Sequence, residues 1–94
     1  MFALIVDGYL LVFCQNGRVD VQPALTGVEL SIMRAANRQP GLSISSLAME
    51  IQAGYPYTYA MTYRLASRGL IRMDRDNGKS IKVSALAEML EAGE

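Results

Sequence analysis

"YRLASRGLIRMDRDNGKSIKVS", residues 63–84, passes from a helical to an extended pattern across one glycine. Gly69 suits the left-handed position that closes a helix, and beyond it the apolar residues change period from about 3.6 to 2. Ile71, Met73, Ile81 and Val83 alternate with polar neighbours on either side of Asn77-Gly78, a dipeptide that favours the positive φ angles of a tight turn. The stretch therefore predicts the end of a helix followed by a two-stranded hairpin, with those four side chains facing inward.

Upstream, Pro56 is tolerated in the first turn of a helix because its missing N–H would have had no partner there. The spacing predicts a helix from about residue 56 to residue 68. Thr58, Met61 and Leu65 form its inner stripe, so that Tyr57, Tyr59, Ala60, Tyr63, Arg64 and Arg68 fall elsewhere on the wheel. Residues 55–63 hold four of the five tyrosines, where a solvated helix would carry Lys, Glu and Gln.

Thr26-Gly27-Val28-Glu29 reads as a capping box, with Leu25 and Leu30 placed as a hydrophobic staple. A helix starts near Gly27, presents Val28, Ile32, Ala35 and Ala36 to the core, and stops at "NRQPG". "SISSLAMEIQAG" predicts an extended piece around Ile44 and then a helix capped by Ser45 or Ser46, burying Leu47, Ala48 and Ile51 and closing at Gly54. The amino end reads as strands: "FALIV", Asp7-Gly8, "YLLVFC", Asn16-Gly17 and "RVDVQ". "YLLVFC" is apolar on both faces, and periodicity alone leaves a short buried helix open there. "SALAEMLEAG" predicts a last helix.

Ninety-four residues suffice for one domain with a modest core. The formal charge is zero, yet it is segregated. Arg64, Arg68, Arg72, Arg75, Lys79 and Lys82 stand against Asp74 and Asp76, making residues 55–83 net +4, while residues 1–54 are net −1 and the tail adds three glutamates. A basic segment of this kind implies an anionic partner or a solvated face. There is no histidine and the single cysteine is Cys14, so a Ser-His-Asp triad, a Cys-His pair and a His-rich zinc site are all excluded. Asp74 and Asp76 lie on one side of a strand among arginines, as a solvated hairpin rather than an acid–base pair. Neither enzymatic activity, a cofactor nor a metal site is expected. The apolar run from Phe2 to Cys14 is broken by Asp7-Gly8 and falls short of the ~20 residues of a membrane span, so a cytoplasmic protein is expected, with no membrane association.

Helix, short strand, helix, tight turn, helix and two-stranded wing is the order of a winged helix-turn-helix. "LTGVELSIM", "ISSLAMEI" and "YRLASRGLIRMDRDNGKSIKVS" resemble the multiple-antibiotic-resistance regulator (MarR-like) family, and Tyr59, ten residues before Gly69, is similar to a feature of the phenolic-acid-decarboxylase repressor (PadR-like) family. The resemblance covers residues 25–90. Its most specific part is the ordered set of Leu47-Ala48, Arg64-Leu65 and Gly69-Leu70-Ile71. The expected fold class is α+β: a winged helix-turn-helix over residues 25–94, with residues 1–24 as an amino-terminal β-hairpin or three-stranded extension serving dimerisation.

The resemblance implies a sequence-specific double-stranded DNA-binding transcriptional regulator, with the helix at about 56–68 in the major groove and the wing at about 70–84 on the adjacent minor groove or backbone. Arg64 and Arg68 can meet phosphates or guanine edges, and the rings and hydroxyls of Tyr57, Tyr59 and Tyr63 thymine methyls and phosphates, with Ala60 among them. Arg75 and Lys79 lie nearest the wing tip, and the amides at Ser45 and Ser46 are placed to hold a phosphate. The alternative is a protein-docking module using the tyrosine-rich face. These families dimerise through long terminal helices that enclose an effector pocket, and the strand-like amino end here speaks against a small-molecule effector. Strands "FALIV" and "YLLVFC" expose apolar side chains on both faces while one small domain covers one of them, which predicts a homodimer through Leu4, Val6, Tyr9, Leu11 and Phe13, with recognition helices about one DNA turn (~34 Å) apart. The alternative is that these strands fold back on their own domain as an extended sheet.

Overall fold

The computed structural model describes residues 1–76 and 80–90. It is α+β, with the elements β1 (Phe2–Val6), β2 (Tyr9–Phe13), β3 (Val19–Pro23), α1 (Gly27–Arg38), β4 (Leu42–Ser43), α2 (Ile44–Ile51), α3 (Tyr55–Ser67), β5 (Ile71–Asp76), β6 (Ser80–Ala85) and β7 (Glu88–Leu90).

Helix α1 starts on the anticipated capping box. The Thr26 hydroxyl accepts the Glu29 amide at 3.2 Å, and the Glu29 carboxylate accepts the Thr26 amide at 2.9 Å. Ile32, Met33, Ala35 and Ala36 are buried along its inner side. The cap of α2 lies earlier than Ser45 or Ser46. Ser43 is the N-cap, its Oγ accepting the Ser46 amide at 3.1 Å, so Ser45 and Ser46 sit within the first turn. The reason is that Leu42 and Ser43 pair with Val83 and Lys82 of β6, which holds Ser43 extended, as a cap residue must be, and leaves Ile44 to open the helix. Replacing Ser43 by alanine is expected to cost ~1 kcal/mol in chemical denaturation, and Ser45→Ala much less. Helix α2 closes at Gln52 rather than Gly54: Gln52 adopts φ +57°, with the Ala53 amide bonded to the Ala48 carbonyl at 3.0 Å.

Helix α3 ends in a Schellman motif. The Gly69 amide reaches the Ala66 carbonyl at 3.0 Å and the Leu70 amide reaches the Leu65 carbonyl at 3.1 Å, with Gly69 at φ +80°. Leu65 and Leu70, the apolar pair that accompanies this motif, are both fully buried. Thr58, Thr62 and Leu65 form the buried stripe of α3, whereas Met61, expected within it, is only partly buried. The wing follows, β5 against β6, with Met73 opposite Val83 and Ile71 opposite Ala85, and β4 extends it into a three-stranded sheet. Asn77-Gly78 and Lys79 lie outside the described residues.

The amino-terminal strands form a second sheet of order β3-β2-β1-β7. Residues 9–13 are a strand, not a buried helix. Asp7 and Gly8 both take positive φ (+50° and +80°), as the β1–β2 hairpin requires. Ala3, Leu10 and Val12 join the core around α1, so this sheet does fold onto its own domain, through one of its faces.

The last helix expected in "SALAEMLEAG" is absent from residues 84–90: Glu88–Leu90 is a strand parallel to β1, and residues 91–94 lie outside the described part. The local residues favour helix, but tertiary partners override them. The Leu86 amide bonds to the Leu70 carbonyl at 2.9 Å and the Glu88 amide to the Met1 carbonyl at 2.9 Å. Asn37, in the last turn of α1, donates to the Ala87 carbonyl at 3.3 Å and accepts the Met89 amide at 3.3 Å. Ala87 is fully buried. The sheet thus unites both ends of the described chain.

Candidate nucleic-acid interface

Because Thr58, Thr62 and Leu65 turn one side of α3 to the core, the opposite side faces outward. Tyr57, Tyr59, Ala60, Tyr63 and Arg64 are all exposed there, and Tyr55 extends the surface at the helix start. Tyr59 and Tyr63, one turn apart, stack with ring centroids 6.5 Å apart and planes at 18°. Such a pair offers broad amphipathic area at little cost in side-chain entropy. Helices α2 and α3 are joined through residues 52–54 and are the two helices of the helix-turn-helix, α3 being the second.

The charges of this region divide into paired and free. Arg72 bonds to Asp74 at 2.7 Å, and Asp74 lies across the ladder from Lys82. Arg64 and Arg75 are exposed, and neither makes an ion pair among the described residues. Among the described residues the positive charge is therefore locally offset at Arg72 and without an ion pair at Arg64 and Arg75.

Arg68, expected on the outer surface, is turned inward. Its guanidinium Nε donates to Gln22 Oε1 at 3.0 Å, another nitrogen donates to the Pro23 carbonyl, and Nη1 stands 3.9 Å from Glu29 Oε1. Gln22 Nε2 in turn donates to the Arg68 carbonyl at 3.4 Å. Glu29 is buried, and its Oε2 has no protein partner. Arg68 thus ties the end of α3 to β3 and to the capping box of α1. Nothing local in the sequence announces this cluster, whose members lie up to 46 positions apart. Ser45 and Ser46 are exposed, but the Ser46 amide is already taken by Ser43. An open cleft of about 540 Å³ lies beside the exposed face of α3, lined by Pro23, Ala24, Thr26, Glu29, Tyr63, Arg64, Ser67 and Arg68.

A second surface lies on the outer face of the four-stranded sheet. Cross-strand partners share a face, so the register defines its rows. One row runs Val19, Phe13, Phe2 and Glu88. The next runs Val21, Leu11, Leu4 and Leu90. The third holds Pro23, Tyr9 and Val6. Val21 is 64% exposed, Tyr9 57% and Phe2 46%, whereas Leu4 and Leu11, at the centre, are half-covered by their neighbours.

Three helices with a two-stranded wing, the wing sheet completed by a short strand between α1 and α2, define a winged helix-turn-helix. The same fold is found in the crystal structure of the PcaV transcriptional regulator from Streptomyces coelicolor in complex with its natural ligand. The two share 21% identity at a TM-score of 0.62, over 65% of this chain and 45% of the other, so this chain matches less than half of that protein's length. At this identity the likeness is one of fold. That regulator carries its natural ligand, so the comparison lends no support to the doubt about a small-molecule effector. No protein-family model and no curated protein matches the chain. Among the described residues, no helix is long and apolar enough to cross a membrane.

Proposed function

We propose that the chain is a sequence-specific transcriptional regulator that lays α3 in the major groove of double-stranded DNA and sets its wing on the adjacent minor groove or backbone. The observation that carries this reading is the exposed face of α3, where Arg64, without an ion pair among the described residues, stands one turn after Ala60 and two turns after Tyr57, next to Tyr63 of the stacked pair. A guanidinium free of ion pairs on an exposed helix face suits the O6 and N7 acceptors of guanine, and small or aromatic neighbours suit thymine methyls. Arg75 and Lys79 supply the backbone contact from the wing, and Ser45 and the start of α2 approach a phosphate on the other side. The fold shared with PcaV, a transcriptional regulator, supports the same assignment. The protein acts on this reading as a binding protein of the cytoplasm rather than as an enzyme.

Arg68 takes a positioning part. By holding the end of α3 against β3 and α1 it sets the attitude of the helix while Arg64 does the reading. Titration of labelled duplexes by fluorescence anisotropy at several salt concentrations tests the assignment. Arg64→Ala is expected to weaken the cognate site by ~1–3 kcal/mol and to narrow the gap between cognate and random duplexes. Arg75→Ala and Lys79→Ala are expected to weaken both duplexes alike, each lowering the salt slope by about one. A wild-type protein that binds no duplex at 50 mM salt, yet captures a protein through Tyr57 and Tyr63, transfers the face to the docking reading.

A further inference from the structure

We infer that the outer face of the four-stranded sheet is the seat of a second copy of this chain, the two sheets packing face to face as an eight-stranded sandwich. The inference is independent of the DNA reading, since it rests on the sheet alone.

The inner face is already used: Ala3, Leu10 and Val12 are buried in the domain core. The outer face carries the same kind of side chain without cover. Of its eleven positions only Glu88, at the end of one row, is charged. A half-solvated antiparallel sheet alternates apolar inside with polar outside, and β1 and β2 break that rule in the way of strands buried on both sides. Across all four strands Val21, Tyr9, Val19, Phe2, Leu90, Val6 and Phe13 are each more than a third exposed and make one contiguous apolar patch, larger than is usual on a monomer and of the scale of the ~800 Å² that each partner contributes to a standard interface.

The occupant follows from the chemistry of the face. With no charge near its centre, it offers nothing to select a partner of opposite sign. It is complementary in character to itself, and an isologous contact requires just that. Leu4 and Leu11 at the middle, rimmed by the more exposed Val21, Tyr9 and Phe2, form a low apolar platform that a second sheet covers at the ~10 Å spacing of stacked sheets. The contact extends beyond residues 1–24, because Leu90 of β7 completes the central row.

Sedimentation velocity of the full chain without DNA, from 1 to 100 μM, is the test. The wild type is expected to sediment as a dimer across most of this range. Val21→Lys alters a side chain that hardly packs within its own protomer, so the fold is retained, as circular dichroism will verify. Two-fold symmetry buries the added ammonium twice, and the dissociation constant is expected to rise at least ~100-fold. Leu11→Lys acts at the centre and is expected to give monomers throughout. A wild type that is monomeric at 100 μM overturns the inference, whether or not it partitions onto phosphatidylcholine vesicles, which would assign the face to a lipid surface. A dimer that survives both substitutions in folded protein overturns it equally, placing the contact elsewhere.

Discussion

Arg68→Met is expected to destabilise the protein by the lower part of ~3–5 kcal/mol, although Arg68 lies at the end of α3, the helix that carries the exposed tyrosines. The substitution keeps much of the apolar stem and removes the guanidinium. Glu29 then remains as a carboxylate only 2% exposed, with the Thr26 amide on Oε1 and no partner on Oε2. Breaking such a pair from one side costs more than the pair contributes, because the remaining charge stays buried. The arginine side chain is itself 21% exposed, and water there tempers the loss. Urea denaturation at neutral pH measures it. Adding Glu29→Gln to Arg68→Met removes the orphaned charge while keeping an acceptor for the Thr26 amide, so the double variant is expected to be more stable than the sum of the two single losses. Additive losses, or an Arg68→Met loss below 1 kcal/mol, would show that the cluster is not coupled as the geometry indicates.

Leu65→Ala is expected to cost ~2–5 kcal/mol. Leu65 is wholly buried, packs in the same core as Ile32, Leu47 and Val83, and supplies the carbonyl that accepts the Leu70 amide in the turn after α3. The cavity left by alanine is surrounded by two helices and the wing, which the Schellman turn and the β5–β6 ladder keep from collapsing inward. DNA affinity is expected to fall less than stability does, since Leu65 faces away from Tyr59, Tyr63 and Arg64. A loss under half a kilocalorie in the same denaturation experiment would contradict this placement of α3.

The two variants differ in how far they were foreseeable. Leu65 is legible as core because its signal is local: Thr58 and Leu65 recur at helical spacing just before a glycine that must end the helix. The same locality explains why the capping box of α1, the strands β1 and β3, the wing with its inward Ile71, Met73, Ile81 and Val83, and the outward tyrosines of α3 follow from the amino-acid order, whereas for residues 9–13, apolar on both faces, it left strand and buried helix open. In each case the residues that decide the conformation lie within a turn or a hairpin of one another, so period and turn chemistry suffice.

The tertiary structure decided the rest, because the deciding partners are remote in the chain. Residues 86–90 favour a helix by propensity and become a strand because β1, Leu70 and Asn37 offer their backbone and core better partners. Ser43 becomes the cap of α2 because β6 holds it extended, some forty residues away. Arg68, one position past the end of α3 and indistinguishable by type from Arg64, turns to Gln22, Pro23 and Glu29 rather than outward. Its guanidinium finds acceptors on that side in the Gln22 side chain and the Pro23 carbonyl, and it stands beside the buried Glu29 carboxylate, a charge that is costly to leave without a partner.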